Sequence, residues 1–226
     1  MNIAVIPARK GSKRIKDKNI KLFFNKPMIA WTILTLKKSK LFDQIIVTSD
    51  SLKILKIAKK YGADIVIKRS KLLSNDYTPT YPVIVDAINK ITDIFLIENV
   101  CCVYPCNPFL NIKDMYKCFL LLKKSKNSFI FPIVRYSHPI QRALKLSNNF
   151  NLSYISERFT KKRTQDLSPS FYDAGQFYLA TKSSWLNKKK KNLKAIEIPS
   201  WRAHDIDNFS DWKRAEILFK SKIFKS

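Results

Sequence analysis

Glycine is nearly absent from this chain, with three among 226 residues. The three stand far apart, at 11, 62 and 175, so neither glycine-rich nucleotide fingerprint is present: the G-x-x-x-x-G-K-[ST] loop and the G-x-G-x-x-G turn are both missing. Histidine is scarcer still, at His138 and His204 only. A histidine-rich metal centre and a Ser/His/Asp triad therefore find little support. Acids are also sparse, with 17 Asp+Glu against 43 Lys+Arg and a formal charge of +26. No apolar run reaches the roughly 18 residues of a membrane span. The opening "MNIAVIPARKG" has too short an apolar stretch for a secretory signal, and charge follows it at once. These features lead us to expect a cytoplasmic protein with no membrane contact.

The four cysteines, Cys101, Cys102, Cys106 and Cys118, lack the paired C-x-x-C spacing of a zinc site. They read as buried, reduced thiols. The positive excess has two readings. Lysines spread over the whole chain, and "NKKKKN" at 187–192 reads as a solvated loop, so solubilising surface is the plainer one. The other is a polyanion-binding module, which would gather the charge on one face and bind nucleic acid in a salt-dependent way without turnover.

What is present is an alternation. Apolar strands are expected at 2–7, 44–50, 63–68, 99–105 and 128–134. Helical patterns fall between them at 25–39, 51–62, 78–91 and 111–125. Pro27 reads as a first-turn proline, Asp50 or Ser51 as a cap, Gly62 as a helix stop, and Thr78-Pro79 as cap and first helical residue. This predicts an α/β fold: a doubly wound, mostly parallel Rossmann-like sheet with ligand loops along one edge. The pattern breaks at 136–171, read as an inserted β-rich arm on a single domain of 1–226. Strand character returns at 174–180 and 193–200. A final helix carries Phe209, Trp212, Ala215 and Phe219 on one face.

Two stretches carry chemistry. "IPARKGSKRIKDKN", residues 6–19, places Arg9, Lys13 and Arg14 around Gly11 and Ser12, directly after a strand. Backbone N–H groups and cations in that layout suit a phosphate, and a missing side chain at Gly11 would let an anion approach the backbone. An exposed basic loop is the alternative. The second stretch is "HDIDNFSDW", where Asp205 and Asp207 flank Ile206. Residues two apart share a side in extended chain. Paired carboxylates repel unless a cation or donors hold them. A cap-and-turn role before the last helix is the competing reading.

Six segments resemble the acylneuraminate cytidylyltransferases, in order and at similar spacing: "IPARKGSKRIKDKNIKLFFNKPMIAWTI", "LFDQIIVTSD", "YGADIVIKR", "DYTPTYPVI", "QDLSPSFYDAGQFY" and "HDIDNFSDWKRAE". The fullest likeness is to the branch acting on pseudaminic acid, with sialic and legionaminic acids as alternatives. The resemblance implies transfer of CMP from CTP to the anomeric hydroxyl of a nonulosonic acid, with pyrophosphate leaving and Mg²⁺ required. It implies Arg9 and Lys13 as catalytic cations, and Ala8, Gly11, Ser12, Asn19, Arg69 and Thr78 around the nucleotide. It gives the sugar to Tyr104, Gln141, Arg142, Gln165, Asp173 and Gln176, and the metal to Asp205 and Asp207. It also implies a homodimer in which the 136–171 arm helps cover the partner's sugar pocket. Two departures stand out. Lys10 takes the place of a common glycine and is expected to project outward. "YPCNP" puts Tyr104 where sialic-type enzymes often have glutamine.

Overall fold

The computed structural model describes residues 1–187 and 192–222. The lysine run at 188–191 lies outside the described residues. In chain order the elements are β1 (Asn2–Pro7), β2 (Leu22–Phe23), β3 (Lys26–Pro27), α1 (Met28–Ser39), β4 (Gln44–Ser49), α2 (Leu52–Lys60), β5 (Ile65–Lys68), α3 (Thr80–Ile91) and β6 (Asn99–Val103). They continue with α4 (Ile112–Lys124), β7 (Ser128–Arg135), β8 (Leu144–Leu146), β9 (Leu152–Tyr154), β10 (Phe171–Asp173), β11 (Phe177–Thr181), α5 (Lys182–Leu186), β12 (Asn192–Glu197) and α6 (Phe209–Ser221).

One eight-stranded sheet organises the domain, in the order β10-β7-β11-β6-β1-β4-β5, with β12 also paired to β7. β5, β4, β1 and β6 are parallel neighbours. β11 runs against β6 and β7, and β10 runs against β7. The sheet is thus mostly parallel, as the alternation predicts, with its antiparallel strands drawn from the later part of the chain.

Alternation along β1 explains the layering. Ala4 and Ile6 face a core shared with Ile29, Ile33 and Leu36 of α1, Leu55 and Ala58 of α2, and Met115, Cys118 and Leu122 of α4. Ile3 and Val5 face the opposite core, with Ile84, Ala87, Ile88 and Ile91 of α3 and Trp185 of α5. All four of these β1 residues are fully buried, as a central parallel strand covered on both faces requires. A third cluster holds Phe23, Met28, Phe109 and Ile206 against Trp212 and Ala215 of α6. That helix therefore anchors the segment carrying Asp205 and Asp207.

Several local expectations need correction. α1 begins at Met28, and Pro27 is its N-cap at the end of a two-strand hairpin. α3 begins at Thr80 with Pro79 at the N-cap position. Thr78 does not cap the helix: its N–H donates to Asn75 Oδ1 and its hydroxyl to the Leu72 carbonyl. Ser51, and not Asp50, caps α2, accepting from Ile54 N–H at 3.5 Å. The strand expected at 174–180 starts at Phe177, because Gly175 turns the chain with φ +63°. Phe209 is exposed and sits beside Lys213, 5.5 Å from ring centroid to Nζ, while Trp212 and Ala215 are buried. Gly62 does stop a helix, with φ +100°. A Cβ there would also strike the Lys37 side chain, 2.6 Å away at Nζ.

The segment 136–171 is an excursion from the β7–β10 edge, closed at its base by Tyr136 N–H to Ser170 O. It contains one small hairpin, β8–β9, and three short 3₁₀ turns at 140–142, 157–159 and 164–166. It is less β-rich than expected. Its polar and aromatic residues do not alternate long enough to build further strands.

Candidate active site

The carboxyl ends of β1, β5 and β6 open onto one cavity of about 740 Å³. The chain moves from β1 outward to β4 and β5, then returns to place β6 on the other side of β1. A doubly wound sheet binds ligands at such a reversal, because the loops leaving the two neighbouring strands diverge and leave a crevice.

Of the residues expected at the nucleotide, Arg9, Ser12, Lys13, Asn19, Arg69 and Thr78 line this cavity, together with Tyr104 and Asp207. Ala8 is fully buried and serves the scaffold, its N–H donating to the Thr48 carbonyl at 2.9 Å. Gly11 is not a lining residue. A Cβ added there meets nothing within 4 Å, and its φ is not in the left-handed region. The free chain's own packing thus does not demand glycine at 11. The left-handed residue of this loop is Asp17, at φ 53°. Lys10 projects into solvent, as expected, while its N–H donates to Asp50 Oδ1 at 2.8 Å.

Asn19 ties the loop together. Its Nδ2 donates to the Arg9 carbonyl at 2.7 Å, and its Oδ1 accepts from the Cys106 thiol at 3.1 Å. Arg69 is 5% exposed, and its Nε and Nη2 have no partner. Burial holds its pKa below the usual arginine value, partly offset by Asp50. Buried guanidinium donors without acceptors are costly, so this wall of the cavity is built to meet an acceptor from outside the chain.

Asp207 lines the first cavity, while Asp205, two residues before it, lines a neighbouring one. Ile206 between them is fully buried in the α6 cluster. Asp207 pairs with Arg14 Nη2 at 2.8 Å and Lys18 Nζ at 3.4 Å. Asp205 forms no ion pair among the described residues. Burial pushes its carboxyl above the usual range and the Asp207 charge adds to this, against Lys18. The pair thus presents an incompletely compensated negative charge beside the phosphate-type loop.

Asp205 lines a second cavity of about 290 Å³, which shares Lys18, Asn19, Tyr104 and Pro105 with the first. Gln176 lines it too. Its Nε2 donates to the Arg202 carbonyl, while its Oε1 has no partner. Asn107, 5% exposed, lines the same cavity with an unpartnered Nδ2. One acceptor and one donor thus lack protein partners beside the nucleotide-sized cavity, in a position suited to a polar second substrate.

The other sugar-side residues are not brought here. Gln141 and Arg142 lie in the arm, where Gln141 Nε2 donates to Ser168 O at 2.9 Å and Arg142 Nη1 to Thr164 Oγ1 at 3.3 Å. Gln165 lines a separate cavity at the arm's base with Arg135 and His138. Asp173 accepts from Gly175 N–H and from the Tyr178 hydroxyl, an internal role. No residue of the arm lines either of the two joined cavities.

Three residues escape the sequence reading. Lys18 sits between the two cavities and donates to the Ile206 carbonyl at 2.6 Å. Asp76 pairs with both Arg9 and Lys13 from the loop before α3. Asn107 has only its place after Cys106 to suggest it. Asp76 is one of few acids in a cationic chain, and that scarcity is the signal that could have found it.

Comparison with known proteins gives the family and the fold. A family model described as cytidylyltransferase matches residues 3–217. A pseudaminic acid cytidylyltransferase of Campylobacter jejuni is 36% identical over 226 residues, covering 97% of this chain and 96% of that protein. An N-acylneuraminate cytidylyltransferase of Escherichia coli is 30% identical, over 97% of this chain and 52% of that protein. Among solved structures, a CMP:2-keto-3-deoxy-manno-octonic acid synthetase complexed with CTP has the same fold. Its TM-score is 0.72 at 14% identity, covering 98% of this chain and 99% of that one. With its family model spanning nearly the whole chain and full-length relatives above 30% identity, this chain belongs to the cytidylyltransferase family.

Proposed function

We propose that the chain transfers CMP from CTP to the anomeric hydroxyl of a nonulosonic acid, releasing pyrophosphate, and that the acceptor is pseudaminic acid. The observation that carries this is the convergence of Arg9, Lys13, Asn19 and Arg69 on one cavity, with a carboxylate pair at its rim. The relatives' names supply the sugar class. In such a transfer the sugar oxygen attacks the α-phosphorus while the bond to the β-phosphate oxygen breaks. Negative charge then gathers on pyrophosphate. Catalysis rests on positioning and on charge already in place. Arg9 and Lys13 are placed to neutralise the leaving group, and Ser12 adds a donor. On this reading Arg69 and Thr78, which line the same cavity, serve the nucleoside side, and Tyr104 stands at the junction of the two cavities.

The donor set suits magnesium, which favours one or two carboxylates with phosphate oxygens and water. Asp205 and Asp207 would hold it. When bound there, the ion would supply positive charge to the phosphate oxygens and lower the pKa of an attacking hydroxyl. Asp207 already holds two cationic side chains, and Asp205 has none paired with it among the described residues.

The protein works in the cytoplasm as a homodimer through the 136–171 arm. The arm exposes Leu144, Leu146, Phe150, Leu152 and Ile155, an apolar content that a second copy would cover. Gln141, Arg142 and Gln165 then belong to the partner's sugar pocket, since they do not reach their own. The deciding experiment is pyrophosphate release from CTP with a panel of nonulosonic acids, with and without Mg²⁺. Turnover with pseudaminic acid alone is expected. No turnover with any of them would refute the proposal.

A further inference from the structure

Arg9 and Lys13 are already engaged in the free chain. Both pair with a single carboxylate, Asp76. It reaches them from the loop between β5 and α3, far along the sequence from the strand-end loop that carries the cations.

Three features show what this contact can do. The first is exposure: the side chains of Arg9, Lys13 and Asp76 are 41%, 80% and 34% exposed. Exposed pairs are weak, so a ligand carrying more charge displaces the carboxylate. The second is a preformed turn. Asn75 Oδ1 accepts from the N–H groups of Tyr77 and Thr78, both at 2.9 Å, and Asn75 Nδ2 donates to Leu72 O at 2.8 Å. These bonds do not involve the cationic loop. The turn keeps its shape when the ion pairs break, and Asp76 returns to the same place. The third is coverage. Asp76 engages Arg9 and Lys13 but leaves Arg69, in the same cavity, with two unpartnered nitrogens. It therefore competes at the pyrophosphate end and not at the nucleoside end.

We infer that Asp76 is a built-in competitor for the pyrophosphate end of the nucleotide: it yields Arg9 and Lys13 to an incoming triphosphate and retakes them as pyrophosphate departs. This rests on reading the 6–19 loop as the phosphate site. Asp76 makes and breaks no covalent bond. It weakens every anion that must displace it by a common factor. The nucleotide keeps further contacts at Arg69 and Asn19 and tolerates that loss. Free pyrophosphate, held by this end alone, does not.

The test is titration calorimetry of the full chain with inorganic pyrophosphate, and product inhibition by pyrophosphate against CTP. Asp76→Asn is expected to bind pyrophosphate about three- to tenfold tighter, with the inhibition constant falling by the same factor. Asp76→Glu keeps the carboxylate and is expected to stay near the parent chain. Asp76→Ser, measured beside them with a thermal melt, guards against one misfolded variant. A merely structural role would not raise affinity. Unchanged or weaker pyrophosphate binding in both the Asn and Ser variants overturns the inference. Separately, Lys13→Ala is expected to weaken pyrophosphate binding. If it does not, the loop is not the phosphate site, and the underlying reading fails instead.

Discussion

The Cys106 thiol donates to Asn19 Oδ1 across 3.1 Å, and Asn19 Nδ2 in turn donates to the Arg9 carbonyl at 2.7 Å. A chain of two hydrogen bonds thus runs from the end of β6 to the cationic loop. One such bond is worth about 0.5–1.5 kcal/mol. Cys106→Val is expected to raise KM for CTP about three- to tenfold and to leave the fold intact. Cys106→Ser, which keeps a donor, is expected to stay near the parent value. Burial pushes the thiol up to about 12. Iodoacetamide at pH 8 should therefore leave the rate unchanged, because the thiolate is the reactive form.

Lys13 and Asp207 face the same cavity from opposite ends of the sequence. Lys13→Ala and Asp207→Ala are each expected to lower CTP-dependent pyrophosphate release by about 10²-fold or more, with unchanged melting temperatures. Chelation of divalent cations should abolish turnover of the parent chain, and added Mg²⁺ should restore it. Full turnover in both variants would remove these residues from the mechanism.

Asp205 contributes to stability with an unusual sign. Its carboxyl is raised by burial and by Asp207, against Lys18. The folded chain therefore holds this proton more tightly than the unfolded chain. The penalty of charging Asp205 is absent below the ordinary aspartate value near 3.9, and it grows to full strength above the folded pKa. Asp205 is exposed to solvent, so screening keeps the penalty small, and Asp205→Asn should raise the melting temperature at pH 7 only slightly, by no more than about 1 °C. It should do nothing at pH 3.5, and activity should be lost. A lower melting temperature at pH 7 would show that Lys18 outweighs burial and Asp207.

Arg202 and Asp114 form a buried ion pair at 3.3 Å between the 200–202 turn and α4. Asp114 is itself raised by burial, with Arg202 as the principal opposing charge. Arg202→Met strands that carboxylate and is expected to cost about 3–5 kcal/mol in urea unfolding. The double variant Asp114→Leu with Arg202→Met should recover most of the loss, because burying two apolar groups leaves no orphan charge. The Arg202 carbonyl also orients Gln176, so the single variant should raise KM for the sugar more than KM for CTP.

The exposed leucines and Ile155 of the arm give the proposed dimer its own test. Leu146→Glu with Ile155→Lys is expected to yield a monomer by sedimentation, because charges on that face cannot be buried. Turnover should fall with dimerisation if Gln141, Arg142 and Gln165 serve the partner's pocket. A parent chain that sediments as a monomer at micromolar concentration would refute the arm's role.

Much of this molecule was readable from near neighbours in the chain. The strand and helix alternation, the Gly62 stop, the buried thiols of Cys101, Cys102 and Cys118, though not the half-buried Cys106, and the opposite facings of Ile206 and its flanking aspartates all follow from periodicity and turn chemistry. Each depends on residues within a few positions. The start of α1 falls three residues later than the pattern predicts, and the cap of α3 one residue later, because proline fits both the cap and the first turn. The arm holds fewer strands than predicted because short apolar runs are ambiguous.

Contacts set by strand order were not readable. The return of β6 to the far side of β1 brings Tyr104 and Asn107 beside Asn19, and the loop between β5 and α3 sets Asp76 opposite Arg9. Nothing local encodes those meetings. The sequence by itself determined a cationic strand-end loop and a late acidic pair, since both are stretches of consecutive residues. It took the folded chain to show that Asp76 pairs with Arg9 and Lys13, that Arg69 keeps two unpartnered nitrogens, and that the arm's polar residues miss their own cavity. Which charges meet across a sheet edge depends on how the crossovers bring distant loops together, and local pattern carries no record of that.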